Sequence, residues 1–248
     1  MTSYDVYRDG ALIGSAAPPA GYVDQTAQPG RTYTYTVVAR DAAGNSSPAS
    51  GPATVTTAGD TMFSDGFESG DMSRWTTSTG VTVQGQVVSD GSFAAEAAAA
   101  GAPAYAYEKL SQTWTSLYYS TRFDIRSQGA NSAYLLRLRT AAKGAIAALF
   151  VSSSGKLGLR NDVTGVSTTS STAVSRATWH TLEMFGSING DSGDISVWLD
   201  GSPVAQLTGI QSLGTTPIGY LQLGDTSTAP TSDVVFHDVK ADPSMIQP

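Results

Sequence analysis

The chain reads as an all-β protein built from two antiparallel sandwich units, and three observations carry that reading. Apolar and polar residues alternate in run after run, as in Tyr33-Thr34-Tyr35-Thr36-Val37 and Tyr134-Leu135-Leu136-Arg137-Leu138-Arg139, the spacing that puts every second side chain on one face of a strand. Turn dipeptides and short Ser, Thr and Gly clusters separate these runs at the interval of sandwich strands. Composition agrees, because the 248 residues are 40% hydrophobic and rich in Ser, Thr, Gly and Val. A chain this long buries roughly 70% of its unfolded surface, enough for one large β domain or two.

From the N-terminus, Tyr4-Asp5-Val6-Tyr7-Arg8 and Ala11-Leu12-Ile13-Gly14 flank Asp9-Gly10, a strong hairpin signal. Gly44-Asn45, after Arg40-Asp41, marks a second turn. The linker centres on Ala58-Gly59-Asp60, which sets the units at 1–58 and 61–244 with 59–60 between them. Ala94 to Ala100, broken only by Glu96, has helical propensity, but Gly91, Gly101 and Pro103 limit it. Strands over 93–97 and 104–110 are predicted instead. Further on, Tyr119, Thr121, Phe123 and Ile125 oppose Tyr118, Ser120, Arg122 and Asp124. Tyr134, Leu136 and Leu138 oppose Leu135, Arg137 and Arg139, and Leu157 and Leu159 oppose Gly158 and Arg160. In the same way Ile195, Val197 and Leu199 point inward, leaving Ser196, Trp198 and Asp200 outward.

Two resemblances follow from motifs. Pro29-Gly30-Arg31-Thr32-Tyr33-Thr34-Tyr35-Thr36-Val37, then Ala39-Arg40-Asp41-Ala42-Ala43-Gly44-Asn45-Ser46-Ser47 and Ala53-Thr54-Val55-Thr56-Thr57, resemble the second half of a bacterial fibronectin type III domain, with its two opening strands missing. Phe63-Ser64-Asp65-Gly66-Phe67-Glu68-Ser69-Gly70-Asp71-Met72-Ser73-Arg74-Trp75, Val197-Trp198-Leu199-Asp200-Gly201 and Val234-Val235-Phe236-His237-Asp238-Val239 resemble the concanavalin A-like, laminin-G-like jelly roll of secreted bacterial proteins. That resemblance implies first and last strands side by side. It is shared by lectins, carbohydrate-binding modules, glycosidases and lyases, so it implies a fold and leaves the function to the site.

The sequence excludes more chemistry than it offers. A formal charge of −7 argues against nucleic-acid binding, which needs a basic footprint. There is no cysteine, hence no disulfide or thiolate metal site. No apolar stretch reaches the ~18 residues of a membrane span. Glu68, Glu96, Glu108 and Glu183 lack the clustering that a glycosidase pair requires. No Gly-x-Ser-x-Gly elbow, phosphate loop, dinucleotide fingerprint or zinc motif occurs, so serine reads as surface composition. His180 and His237 read as packed or surface histidines, Trp75 as core, and Trp179 as core or edge packing.

What remains is recognition. Arg122, Arg137, Arg139 and Arg160 are predicted to share one outward sheet face, with Tyr118 and Trp198 as platforms for sugar rings. Arginine forks pair bidentately with carboxylate, sulfate or phosphate and stack on aromatic rings. The competing assignment pairs these arginines with Asp124, Asp162, Asp194 or Asp200 across strands. The jelly-roll resemblance also implies a structural calcium where the opening turn meets the last strand, with Asp65, Glu68 and Asp238 as ligands and Asp225 and Asp233 as weaker additions. The expected protein is a noncatalytic, extracellular or cell-surface, lectin-like module that binds polysaccharide or glycan within a longer secreted protein. The alternatives are a spacer or fibre component that assembles by strand complementation, and a polysaccharide lyase.

Overall fold

A computed structural model describes residues 3–18, 21–24, 26–27, 31–56, 62–229 and 231–246. The predicted linker, 59–60, lies outside them. The chain divides into two compact units, residues 1–60 and 61–248, and nearly all of its regular structure is strand.

The first unit is one antiparallel sheet of β1 (Ser3–Arg8), β2 (Ala11–Ala16), β3 (Thr32–Arg40) and β4 (Ala53–Thr56), in the order β2-β1-β3-β4. Asp9 at φ 50° and Gly10 at φ 83° close the first hairpin, with both central residues in the left-handed region that matches strand twist. Asp5 accepts the Ser15 hydroxyl and the Arg40 guanidinium, tying β1 to both neighbours.

The second unit is a two-layer sandwich. Its strands are β5 (Phe63–Asp65), β6 (Thr77–Thr79), β7 (Val81–Gln84), β8 (Ala94–Ala100), β9 (Ala104–Trp114), β10 (Ser116–Gln128), β11 (Ala133–Thr140), β12 (Ala145–Val151), β13 (Lys156–Asn161), β14 (Val166–Ala173), β15 (His180–Ser187), β16 (Gly193–Leu199), β17 (Ser202–Pro203), β18 (Gly209–Gln211), β19 (Ile218–Asp225) and β20 (Thr231–Asp242). A nine-stranded sheet runs β17-β16-β15-β10-β20-β8-β7, with β18 on β16 and β5 on β20; a seven-stranded sheet runs β14-β13-β12-β11-β19-β9-β6. First and last strands pair, as Val239 opposite Asp65. The layers share one core, in which Leu117, Tyr119, Phe123 and Ile125 of β10 and Ile195, Val197 and Leu199 of β16 face Leu136 and Leu138 of β11 and Leu157 and Leu159 of β13. Sheet packing of this kind buries alternate residues of each strand, and these sets follow the alternation in the sequence.

The alanine run is strand β8, not helix, because its backbone pairs with β20 on one side and β7 on the other. Its one acid, Glu96, has its carboxyl pushed up by burial and by Asp233. The folded unit therefore holds a proton there more tightly than the unfolded chain does. That contribution is complete below the ordinary value and is lost as pH rises through the raised one. Glu96→Gln should raise the melting temperature near neutral pH. Melting in acid should show the gain disappear.

Candidate functional site

The outer face of the seven-stranded sheet gathers aromatic rings and cations. In β9, Ala104 and Ala106 take the inner positions, and Tyr105 and Tyr107 stand outward with ring centroids 4.7 Å apart. Tyr107 lies 6.5 Å from Tyr220 of β19, edge to face. Arg139 of β11 sits 5.2 Å above the Tyr107 ring, and Lys143, in the β11–β12 turn at φ 63°, lies 5.4 Å from Tyr107 and 5.3 Å from Tyr220. One cation–π contact contributes about 0.5–1 kcal/mol when exposed and more when desolvated.

A bulge completes the face. Tyr134 pairs with Phe150 and Leu136 with Leu149, so Leu135 has no opposite residue. The extra residue reverses the facing of what precedes it. The strict alternation that grouped Tyr134 with Leu136 and Leu138 is therefore wrong at this point: Tyr134 lies outward, 5.5 Å from Phe150, with the Arg137 guanidinium 4.6 Å from its ring centre. Phe150 lies over Gly158 of β13, where a Cβ would come within 2.3 Å of the ring. Gly158 is thus required by close approach.

Burial and hydrogen bonding set the poise of each arginine. Arg139 is 9% exposed and donates from Nε to Gln222 Oε1 and from Nη1 to the Lys143 carbonyl, both at 2.6 Å. Gln222 is held in turn by its own donation to the Gly224 carbonyl at 2.7 Å. Burial lowers the Arg139 pKa from its ordinary value, and burial raises those of Tyr107 and Tyr134 against the nearby guanidinium groups. Arg137 Nε lies 3.1 Å from Asp162 Oδ2, but neither atom makes an aligned hydrogen bond. We read this as a charge pair that leaves the directional capacity of Arg137 open. Arg160 is committed, donating to Asp162 Oδ1 at 2.9 Å and to Ser167 Oγ at 3.2 Å.

The predicted binding residues thus separate. Arg137, Arg139 and Arg160 share the seven-stranded sheet, but Arg122, Tyr118 and Trp198 belong to the nine-stranded one, on β10 and β16. The shared face of four arginines is corrected accordingly: β10 pairs with β15 and β20, in the opposite layer from β11. Tyr118 packs 4.7 Å from Phe185 and 6.2 Å from Trp198. The rival pairing through Asp162 holds for Arg137 and Arg160, while Arg122 pairs with Asp90 at 2.6 Å. Tyr105, Tyr107, Lys143, Phe150, Tyr220 and Gln222 join the face without a motif to mark them, apart from the small–aromatic alternation of Ala104-Tyr105-Ala106-Tyr107.

An acidic group stands at the junction of the opening turn and β20. Asp90, His237 and Asp238 bring ligand atoms within 4.8 Å of one another. Glu68 Oε1 lies 3.8 Å from His237 Nε2, but both Glu68 oxygens accept the Ser92 N–H at 3.0 Å and Oε1 the Phe93 N–H at 3.1 Å, so Glu68 is spent on that turn. Asp90 Oδ1 lies 3.7 Å from the same nitrogen. His237 is 2% exposed, and neither ring nitrogen has a hydrogen-bond partner. Asp238 takes φ 48° where the β10–β20 register slips, a bulge that re-aims its carboxylate. Asp65 stands apart from this group. Its Oδ1 accepts the Phe67 N–H at 2.8 Å and its Oδ2 the Trp75 Nε1–H at 2.9 Å, so it is spent on the core. Asp225 and Asp233 are not in the group either.

Comparison with known proteins identifies the architecture. No protein-family profile matches the chain, and no curated protein does. Among solved structures, cellulose-induced protein Cip1 aligns with a TM-score of 0.59 at 15% identity, over 75% of this chain and 99% of that one. An endo-β-1,4-glucuronan lyase from the fungus Trichoderma reesei aligns at 0.55 and 13% identity, over 74% and 96%. A sialidase aligns at 0.52 and 12% identity, over 85% of this chain but only 21% of its own. At such identities the likeness establishes the jelly-roll-like sandwich fold.

Proposed function

We propose that the second unit is an extracellular carbohydrate-binding module whose outer seven-stranded face engages an acidic polysaccharide without cleaving it. The observation that carries this reading is the stacking of two guanidinium groups on tyrosine rings along one sheet face, Arg137 on Tyr134 and Arg139 on Tyr107. Sugar rings stack on aromatic faces, while carboxylate or sulfate substituents take the guanidinium N–H groups that Arg137 and Arg139 do not already commit. Two structural neighbours named for cellulose induction and glucuronan cleavage support a carbohydrate role. The first unit would serve as a fibronectin-like spacer.

The test is a glycan array on the full chain, spanning neutral, uronate and sulfated polymers at two salt concentrations. Selective, salt-sensitive retention of the acidic polymers is expected. Retention of neutral polymers alone would overturn the assignment.

Lyase chemistry is the second reading, because Tyr107 lies under two cations. Elimination needs a tyrosine that ionises readily, whereas burial moves the Tyr107 phenol the other way. We favour binding over turnover, and uronate polymers should yield no unsaturated product.

We further propose a structural cation at Asp90, His237 and Asp238. The carboxylate oxygens suit calcium, and the bare His237 nitrogens suit a softer divalent ion. Saturating calcium should raise the melting temperature, since an ion at 100 times its Kd stabilises by about 2.7 kcal/mol. The shift should be lost in Asp238→Asn, and zinc outperforming calcium would reassign the ion.

A further inference from the structure

Ser175, His180 and Asp200 form a hydrogen-bonded line apart from the face described above. Ser175 Oγ lies 2.8 Å from His180 Nε2, and His180 Nδ1 lies 2.7 Å from Asp200 Oδ2. The carboxylate fixes the tautomer. A carboxylate at Asp200 can only accept, so Nδ1 carries the proton, and whenever the ring is neutral its Nε2 is left bare to accept the Ser175 O–H. The serine hydroxyl therefore donates to a base already oriented by an acid, which is the logic of an activated nucleophile.

The backbone holds all three groups. Asp200 Oδ1 accepts the Thr181 N–H and the Asp200 N–H donates to the Thr181 carbonyl, both at 2.8 Å. Asp200 takes φ 51° and Gly201 φ 74°, the turn that returns β16 to β17. His180 opens β15 opposite Phe123, with ring centroids 5.8 Å apart. Ser175 lies on the connection from β14 to β15. There Ala177 takes φ 52° and donates its N–H to the Ile125 carbonyl at 3.0 Å. A non-glycine residue in that region costs about 1–3 kcal/mol, and here it folds the loop back so that the serine meets its histidine.

We propose that Ser175 is a nucleophile towards short carboxylic esters, with His180 as general base and Asp200 as positioning residue. His180 Nε2 takes the hydroxyl proton as Oγ bonds to the ester carbonyl carbon. Collapse of the tetrahedral oxyanion breaks the carbon–oxygen bond, and the proton on Nε2 passes to the departing alkoxide. Water then repeats the sequence, releasing the carboxylic acid and restoring the serine, with no change in oxidation state. The Arg176 backbone N–H follows the nucleophile and has no hydrogen-bond partner among the described residues, so it is the oxyanion donor at hand. A missing second donor costs about 10²–10³ in rate, so turnover is slow. Ser175 is exposed and the Asp200 side chain is 49% exposed. The nucleophile thus stands in the open, which suits a small acyl group carried on a bulky alcohol, such as an acyl ester of a polysaccharide hydroxyl.

The experiment uses the full chain, a fluorophosphonate ester probe and p-nitrophenyl acetate, with the labelled peptide identified by mass spectrometry. Covalent label on Ser175 is expected, lost in Ser175→Ala. His180→Gln should slow labelling at least a hundredfold and Asp200→Asn at least tenfold, with circular dichroism unchanged. Wild-type protein whose Ser175 stays unlabelled, or whose ester hydrolysis equals that of Ser175→Ala, would overturn the proposal. The wild-type measurement decides even if a variant fails to fold, because a network that only braces the loop leaves Ser175 unreactive.

Discussion

Arg139→Lys should weaken retention of acidic polysaccharide roughly tenfold to a hundredfold, the range of one lost charge-assisted hydrogen bond at about 1.5–3 kcal/mol. The substitution keeps the positive charge. It removes the planar fork that reaches Gln222 and the Lys143 carbonyl, and with it the guanidinium face above Tyr107. Lysine supplies a point charge and cannot reproduce either feature. Arg139→Ala should weaken binding further and lower stability as well, since the fully buried Gln222 would lose the donor to its carbonyl oxygen. Comparing the two variants by affinity electrophoresis and thermal melting separates recognition from packing. Equal binding by wild type and Arg139→Lys would sink the role given to the guanidinium.

The largest stability effect is expected at Trp75. Its ring is 5% exposed, meets Phe63 edge to face at 4.9 Å and stacks on Phe67 at 6.5 Å. Truncation to alanine should cost about 3–5 kcal/mol, a fall in melting temperature of roughly 6–20 °C in a unit of this size. Trp75→Phe isolates the polar part. It keeps most of the ring but leaves the buried Asp65 Oδ2 without its donor, which costs about 1–3 kcal/mol. Asp65 would then give up one of the two hydrogen bonds that oppose the upward push of burial on its carboxyl. Thermal melting of both variants checks the order, and a phenylalanine variant as stable as wild type would remove the role given to this bond.

Much of the sandwich was legible because burial on one face imposes a period of two. The inward sets of β10, β13 and β16 occupy the core as their alternation indicates, and the alanine run is legible as strand because Gly91, Gly101 and Pro103 leave a helix little room. The candidate face was legible only in part. Arg137, Arg139 and Arg160 carried a signal through their contrast with apolar neighbours. Tyr134 gave the wrong facing because a bulge at Leu135 leaves no mark in composition. Asp65 looked like a ligand from its place in the opening turn, yet the Trp75 indole, ten residues on, claims it.

The sequence by itself determined strand identity, the inward sets and the poverty of conventional catalytic motifs, because these depend on near neighbours along the chain. Tertiary structure alone decided which strands share a layer, and so divided Arg122, Tyr118 and Trp198 from Arg137, Arg139 and Arg160. It also brought Asp90 to His237 and Ser175 to His180 and Asp200. Period-two alternation tells inside from outside on each strand, but it carries no information about which sheet that outside belongs to. Only the pairing of strands distant in sequence supplies it.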